Sequence, residues 1–253
     1  MDKKVRVFDL NRNQETIVGS HMGGIRCIDY CRELNLVITG GFDGNVMLWD
    51  PRQHSPIGTY VQPDKVYAMD YCDTTLVVGT ADRKVLIWDL KNMSFAQQRR
   101  DSNLKYQTRS IRCFSNKEGF VQGSIEGRVA VEYFDPNPEI QKKKYAFKCH
   151  RTKDPVTGQE TIYPVNAISF HSGHNTFATG GSDCMVNIWD AARKKRLCQL
   201  HKFPIGISSL SFSPDGSTLA IACSNIYEEN TDNSMNQDAI YIRHLSDSET
   251  RPK

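Results

Sequence analysis

The feature that most constrains this chain is a pattern that returns along its length. An alternating apolar strand leads into a run of small residues, an acidic turn, a second apolar strand and an aromatic–Asp ending. The clearest copies are Ile38-Thr39-Gly40-Gly41-Phe42-Asp43-Gly44-Asn45-Val46-Met47-Leu48-Trp49-Asp50 and Ala178-Thr179-Gly180-Gly181-Ser182-Asp183-Cys184-Met185-Val186-Asn187-Ile188-Trp189-Asp190. A third ends Ala81-Asp82-Arg83-Lys84-Val85-Leu86-Ile87-Trp88-Asp89, and a degenerate fourth reads Gly123-Ser124-Ile125-Glu126-Gly127-Arg128-Val129-Ala130-Val131-Glu132-Tyr133-Phe134-Asp135. Residues 2–9 fit the second half of another copy, and Ala239-Ile240-Tyr241-Ile242-Arg243 fits a single strand of one.

The aromatic–Asp endings recur every ~40 to ~55 residues, the period of a four-stranded propeller blade. With the acidic turn and the Trp–Asp dipeptide, the chain resembles the WD-repeat family along nearly its whole length. The expected fold is therefore all-β, a WD-repeat β-propeller with about five and a half of seven blades and a ring that is not closed. Labelling strands a to d from the axis outward, the expected full blades are 21–61, 65–99, 109–149 and 163–201. Residues 3–19 supply c and d of a preceding blade, and 206–245 supply a, b and c of the last. This amounts to about 21 strands, where a closed ring needs about 28, a deficit of roughly 70–75 residues. Met1 falls in a b–c turn, so the sequence reads as an N-terminally incomplete product.

The repeat residues are structural. Family geometry implies that Asp43, His21, Thr39 and Trp49 form one buried hydrogen-bonded chain, and that Asp183, His150, Thr179 and Trp189 repeat it. Buried polar groups must be paired, and a complete network fixes the turn that closes each strand pair. Trp49, Trp88 and Trp189 are expected to be buried anchors between blades, with Asp43, Asp82 and Asp183 holding the turns. No GxSxG elbow, P-loop, GxGxxG or HExxH is present, so the chain is read as no enzyme, with no cofactor.

Composition narrows the function further. The 32 Lys and Arg against 29 Asp and Glu leave a net charge of +3, too mild for wholesale nucleic-acid binding, so direct DNA binding is not expected. The eight Cys include no CxxC pair, which argues for buried thiols in a reducing compartment and for no metal site. No apolar run approaches the roughly 20 residues of a membrane helix. Lys142-Lys143-Lys144 sits where an outer strand is expected to begin. It reads as an import or nucleic-acid patch, or as Lys guarding an exposed strand edge. Asp154 to Thr161 reads as a connector, and 226–238 as a polar insertion.

A narrower resemblance lies between residues 88 and 202. Trp88-Asp89-Leu90-Lys91-Asn92-Met93, Leu104-Lys105-Tyr106-Gln107-Thr108-Arg109, Ser124-Ile125-Glu126-Gly127-Arg128-Val129-Ala130-Val131-Glu132-Tyr133, Lys142-Lys143-Lys144-Tyr145-Ala146-Phe147-Lys148-Cys149-His150-Arg151 and Lys194-Lys195-Arg196-Leu197-Cys198-Gln199-Leu200-His201 resemble the Bub-family WD-repeat protein of the spindle assembly checkpoint. A sister family, the messenger-RNA-export WD-repeat protein of the nuclear pore, shares some of these stretches. The first resemblance implies a scaffold that binds acidic GLEBS segments of checkpoint kinases and their relatives. It also implies binding to phosphorylated Met-Glu-Leu-Thr repeats of a kinetochore scaffold, in the nucleus and at kinetochores in mitosis, as a monomer within heteromeric complexes. A competing reading, a cullin-ligase substrate receptor, rests on Trp49-Asp50-Pro51-Arg52.

Blade topology places d–a connections and b–c turns on one face. Arg109 begins an a strand, Arg128 follows a b–c turn, and Lys148 and Arg151 bracket the end of a d strand. These four cations are the expected partner- and phosphopeptide-binding residues, because Arg offers a planar fork of donors to carboxylate and phosphate. The alternative is a scattered basic surface.

Overall fold

The structure is a computed structural model, and it describes residues 2–53, 55–225 and 237–252. It divides into two compact units, Met1–Thr108 and Arg109–Lys253. Both are built from antiparallel sheets of consecutive strands, as the all-β propeller expectation required.

The first unit opens with a two-stranded sheet, β1 (Lys4–Asp9) and β2 (Gln14–Ser20). A four-stranded sheet follows, made of β3 (Ile25–Cys31), β4 (Leu36–Gly41), β5 (Asn45–Trp49) and β6 (Pro56–Val61). The next comprises β7 (Val66–Cys72), β8 (Thr75–Thr80), β9 (Lys84–Asp89) and β10 (Gln98–Asp101). The second unit begins with β11 (Thr108–Cys113), whose first residue closes the first unit, then β12 (Gly119–Ser124), β13 (Arg128–Tyr133), a one-turn helix α1 (Pro138–Gln141) and β14 (Tyr145–Lys148). A hairpin of β15 (Arg151–Lys153) and β16 (Glu160–Ile162) leads to the sheet of β17 (Val165–Phe170), β18 (Phe177–Gly181), β19 (Val186–Asp190) and β20 (Lys195–Gln199). A three-stranded sheet of β21 (Ile207–Phe212), β22 (Thr218–Cys223) and β23 (Ala239–His244) and a helical turn α2 (Asp247–Thr250) end the chain. The expected insertion at 226–238 lies almost wholly outside the described residues.

The core explains the small-residue run. In the four-stranded sheets the second strand is buried on both faces over most of its length, as in β4, β12 and β18. Gly40, Gly123 and Gly180 hold one equivalent position in these strands. A Cβ there would meet Val66 Cγ1 at 2.7 Å, Val165 Cγ1 at 3.0 Å and Ile207 Cγ2 at 2.4 Å. Each of those side chains belongs to the inner strand of the following sheet, so glycine is what lets neighbouring blades approach. One apolar cluster therefore joins β3–β6 to β7–β10, through Ile38, Leu48, Met69 and Trp88. Another joins β17–β20 to β21–β23, through Ile188, Leu200, Ile207 and Ile221.

Three local expectations are corrected. Lys142-Lys143-Lys144 does not begin a strand. Asn137 caps α1, Pro138 takes its first turn, and the chain becomes extended only at Tyr145. Asp154 to Thr161 is not a bare connector, because Glu160–Ile162 pairs with Arg151–Lys153. Trp49 and Trp88 are 1% and 5% exposed, but Trp189 is only half-buried.

Candidate functional site

Two hydrogen-bonded chains set the turns. In the first, His21 Nδ1 lies 3.1 Å from both oxygens of Asp43, and His21 Nε2 lies 2.7 Å from Thr39 Oγ1. The carboxylate can only accept, so Nδ1 donates and Nε2 accepts the Thr39 hydroxyl proton. That oxygen in turn accepts the Trp49 indole N–H at 2.8 Å. Burial opposes ionisation of Asp43, but the hydrogen bonds from His21 and from the Asn45 and Met22 backbone together outweigh it and hold the carboxyl below its ordinary value. The second chain has the same form. His150 Nδ1 is 2.8 Å from Asp183, His150 Nε2 is 2.8 Å from Thr179 Oγ1, and Trp189 Nε1 donates to Thr179 at 2.8 Å. The blade between residues 65 and 101 lacks the histidine. There Trp88 donates to Gln62 Oε1 at 3.2 Å, and Thr80 bonds Asp82.

His150 matters beyond its own network, because Lys148 and Arg151 stand on either side of it. Its side chain is fully buried and its φ is +46°. The residues around this pinned histidine are the expected cations. Arg128 pairs with Lys148 across β13 and β14. Arg128 Nε lies 3.8 Å from Glu126, while Lys148 Nζ lies 3.9 Å from Glu160. Arg151 Nη1 donates to Glu160 at 2.7 Å, Nη2 donates to the Glu126 carbonyl at 2.6 Å, and Nε donates to the Gly127 carbonyl at 3.4 Å. Arg151 thus clasps the very turn that presents Arg128. Gly127 has φ +60°, and a Cβ on it would lie 2.7 Å from the Cys149 carbonyl, so glycine is required there.

The structure brings Arg128, Lys148 and Arg151 together around the carboxylates of Glu126 and Glu160. Three cations thus face two carboxylates at this end of the blade. Arg109, the second residue of β11, lies at the same end of the sheet, and its Nε donates to Asn166 Oδ1 at 3.2 Å. The two acids were not singled out from sequence, and neither was Arg196, which lines a cleft of about 280 Å³ with Lys148, Arg151 and Glu160. The hairpin that carries Glu160 has a sequence signal, since the turn residues Asp154, Pro155 and Gly158 separate two β-prone segments.

Arg52 folds back on Asp50 with two bonds of 2.8 and 2.6 Å, and this contact holds the Asp50 carboxyl at about 2. Burial pushes the Cys149 thiol far above its usual value and Cys223 up to about 11, so both remain protonated at neutral pH. Among the described residues no group of three or more His, Cys, Asp or Glu is placed to hold a metal ion, and no helix is long and apolar enough to cross a membrane. The site is thus a charged, partly desolvated surface.

Comparison with known proteins agrees with this architecture. The family described as WD domain, G-beta repeat matches residues 12–50, 142–190 and 194–228. The mitotic checkpoint protein BUB3.1 of Arabidopsis thaliana is 48% identical over 257 residues, covering 100% of this chain and 75% of the relative. The mitotic checkpoint protein bub-3 of Caenorhabditis elegans is 48% identical, with the same shares covered. A chain of the crystal structure of a mitotic checkpoint complex superposes with a TM-score of 0.76 at 15% identity, covering 97% of this chain and 69% of that one, a likeness of fold alone. With near-half identity along its full length, and with the WD-repeat framework in place, the chain belongs to the Bub3 family of mitotic checkpoint proteins.

Proposed function

We propose that this chain is a non-catalytic adaptor of the spindle assembly checkpoint. Its working surface is the blade end bearing Arg128, Lys148 and Arg151, with Arg109 alongside. The partners are acidic GLEBS-type segments of checkpoint kinases and phosphorylated Met-Glu-Leu-Thr repeats of a kinetochore scaffold. The protein then works in the nucleus, and at kinetochores in mitosis, as a monomer within heteromeric complexes. The observation that carries this reading is the convergence of three cations on two neighbouring carboxylates, with Glu160 between Lys148 and Arg151 and Glu126 beside Arg128. A surface that already holds one carboxylate with a charge-assisted bond, with two more cations close by, suits an acidic or phosphorylated segment. The checkpoint names of the family's members support the same reading.

The test is titration of the purified chain with a GLEBS segment and with phosphorylated and unphosphorylated Met-Glu-Leu-Thr peptides. Arg128→Ala, Lys148→Ala and Arg151→Ala are compared with the wild type. A partly desolvated charge-assisted bond is worth roughly 1.5–3 kcal/mol, about tenfold to a hundredfold in affinity. Losses of that size are expected at Arg128 or Arg151 for at least one partner, with a smaller loss at exposed Lys148. Wild-type affinity for both partners in all three variants would reject the site.

A further inference from the structure

Glu160 occupies a position that the proposed ligand would need. The hairpin β15–β16 carries its carboxylate to Arg151 Nη1 at 2.7 Å and to within 3.9 Å of Lys148 Nζ. Arg151 commits Nε and Nη2 to the backbone carbonyls of Gly127 and Glu126, so Nη1 is the edge of its fork that faces the cleft. Across that cleft of about 280 Å³ lies Arg196, whose Nη1 donates to Asn187 Oδ1 at 3.2 Å, with Gln199 beside it. The Glu160 side chain is 42% exposed and the Arg151 side chain 11%. The acid is therefore free to swing into solvent while the guanidinium stays where the turn holds it. Its hydrogen bond with Arg151, helped by the neighbouring Lys148 and Lys153, keeps the Glu160 carboxyl below its ordinary value despite some opposing desolvation, so it is charged at neutral pH.

We infer that Glu160 is a specificity-determining residue: a resident carboxylate that fills the anion position between Arg151 and Lys148 and yields it to a phosphomonoester but not to a carboxylate. The inference rests on the phosphopeptide reading above and adds how that site chooses its ligand. A monoanionic Asp or Glu from a partner gains no charge over the monoanion it displaces. It also competes with a group held close by its own chain, at an effective concentration in the millimolar range. A phosphothreonine brings a charge of about −1.5 to −2 and three acceptor oxygens. Those oxygens meet donors on Arg151, Lys148 and Arg196 together, which one carboxylate does not span. Glu160 thereby penalises unphosphorylated acidic segments at this position more than phosphorylated ones, a repulsive element of the kind that specificity needs.

The test uses Glu160→Gln, an isosteric change at an exposed hairpin position. Two peptides are titrated into the wild type and the variant: the phosphorylated Met-Glu-Leu-Thr repeat, and the same repeat with Glu in place of the phosphothreonine. The wild type is expected to prefer the phosphorylated peptide by tenfold or more, on the order of one charge-assisted bond. In Glu160→Gln the glutamate peptide should tighten about fivefold, the scale of one half-exposed ion pair, and the phosphorylated peptide by less, so that discrimination narrows. An unchanged ratio, or a variant that weakens the phosphorylated peptide, overturns the inference while leaving the phosphopeptide reading intact. A wild type that binds neither peptide overturns both.

Discussion

The blades β3–β6 and β17–β20 carry the same buried network, atom for atom, yet only one of them abuts the charged site. Around His21 the chain places Ser20 and Met22, and Met22 donates its backbone N–H to Asp43 at 2.9 Å. Around His150 it places Lys148, Cys149 and Arg151, and the arginine reaches across to the turn of the preceding blade. In both blades the His–Asp–Thr–Trp chain performs the same task of fixing a turn. What differs is what the pinned histidine carries on its flanks. In the blade β11–β14, Gln122 and Glu132 stand in the places of Thr39 and Trp49, and this blade supplies the turn that bears Arg128. The framework thus repeats, and function enters at positions that the framework leaves open.

The largest expected difference between the two blades is in their tryptophans. Trp49 is 1% exposed and lies against Gly19, while Trp189 is half-buried. Trp49→Ala should cost about 3–5 kcal/mol in urea denaturation, and Trp189→Ala clearly less, because less of its ring leaves a packed core. Equal costs would contradict this ranking. The next effect is on the networks. Asp43→Ala and Asp183→Ala each strand a buried imidazole N–H and should each cost about 1–3 kcal/mol. If either variant keeps wild-type stability, its network is not intact.

A smaller effect appears in acid. The Asp43 carboxyl sits below its ordinary value in the folded chain. Its contribution to stability is therefore complete above the unfolded pKa of about 3.9 and is lost as pH falls through the lower folded value. Asp43→Ala should flatten the stability profile in that window and leave the profile above pH 5 parallel to wild type. A profile still as steep below pH 4 would contradict the assignment. The smallest effect belongs to Arg52, whose side chain is 77% exposed despite its paired bonds to Asp50. Arg52→Ala should leave the midpoint of urea denaturation at the wild-type value, and a clear drop would contradict this ranking.

The fold class was legible because its signals are periodic and local. Asp43, Thr39 and Trp49 recur as Asp183, Thr179 and Trp189, and the glycines between them mark where the next blade presses in. The short elements were less legible, although their signals are present. Asn137-Pro138 is a helix start, and Ser246 with Glu249 forms a capping box, but a single turn of helix leaves no hydrophobic period to read. The cations of the site were legible one at a time, from turn positions and resemblance. Their partners were not, because Glu160 meets Arg151 across the β15–β16 hairpin and Arg151 meets the Glu126 carbonyl from another strand pair. Which charges neutralise one another is a property of tertiary packing, and spacing along the chain does not encode it.

The most direct measurement compares the two networks through binding rather than stability. The phosphorylated Met-Glu-Leu-Thr peptide is titrated into Asp43→Ala and Asp183→Ala, two variants that lose similar stability. Because the Asp183–His150 contact fixes the segment that carries Lys148 and Arg151, the account predicts that Asp183→Ala weakens the peptide by about tenfold, the worth of one misplaced charge-assisted bond, while Asp43→Ala binds as wild type does. Equal affinities in the two variants would contradict it.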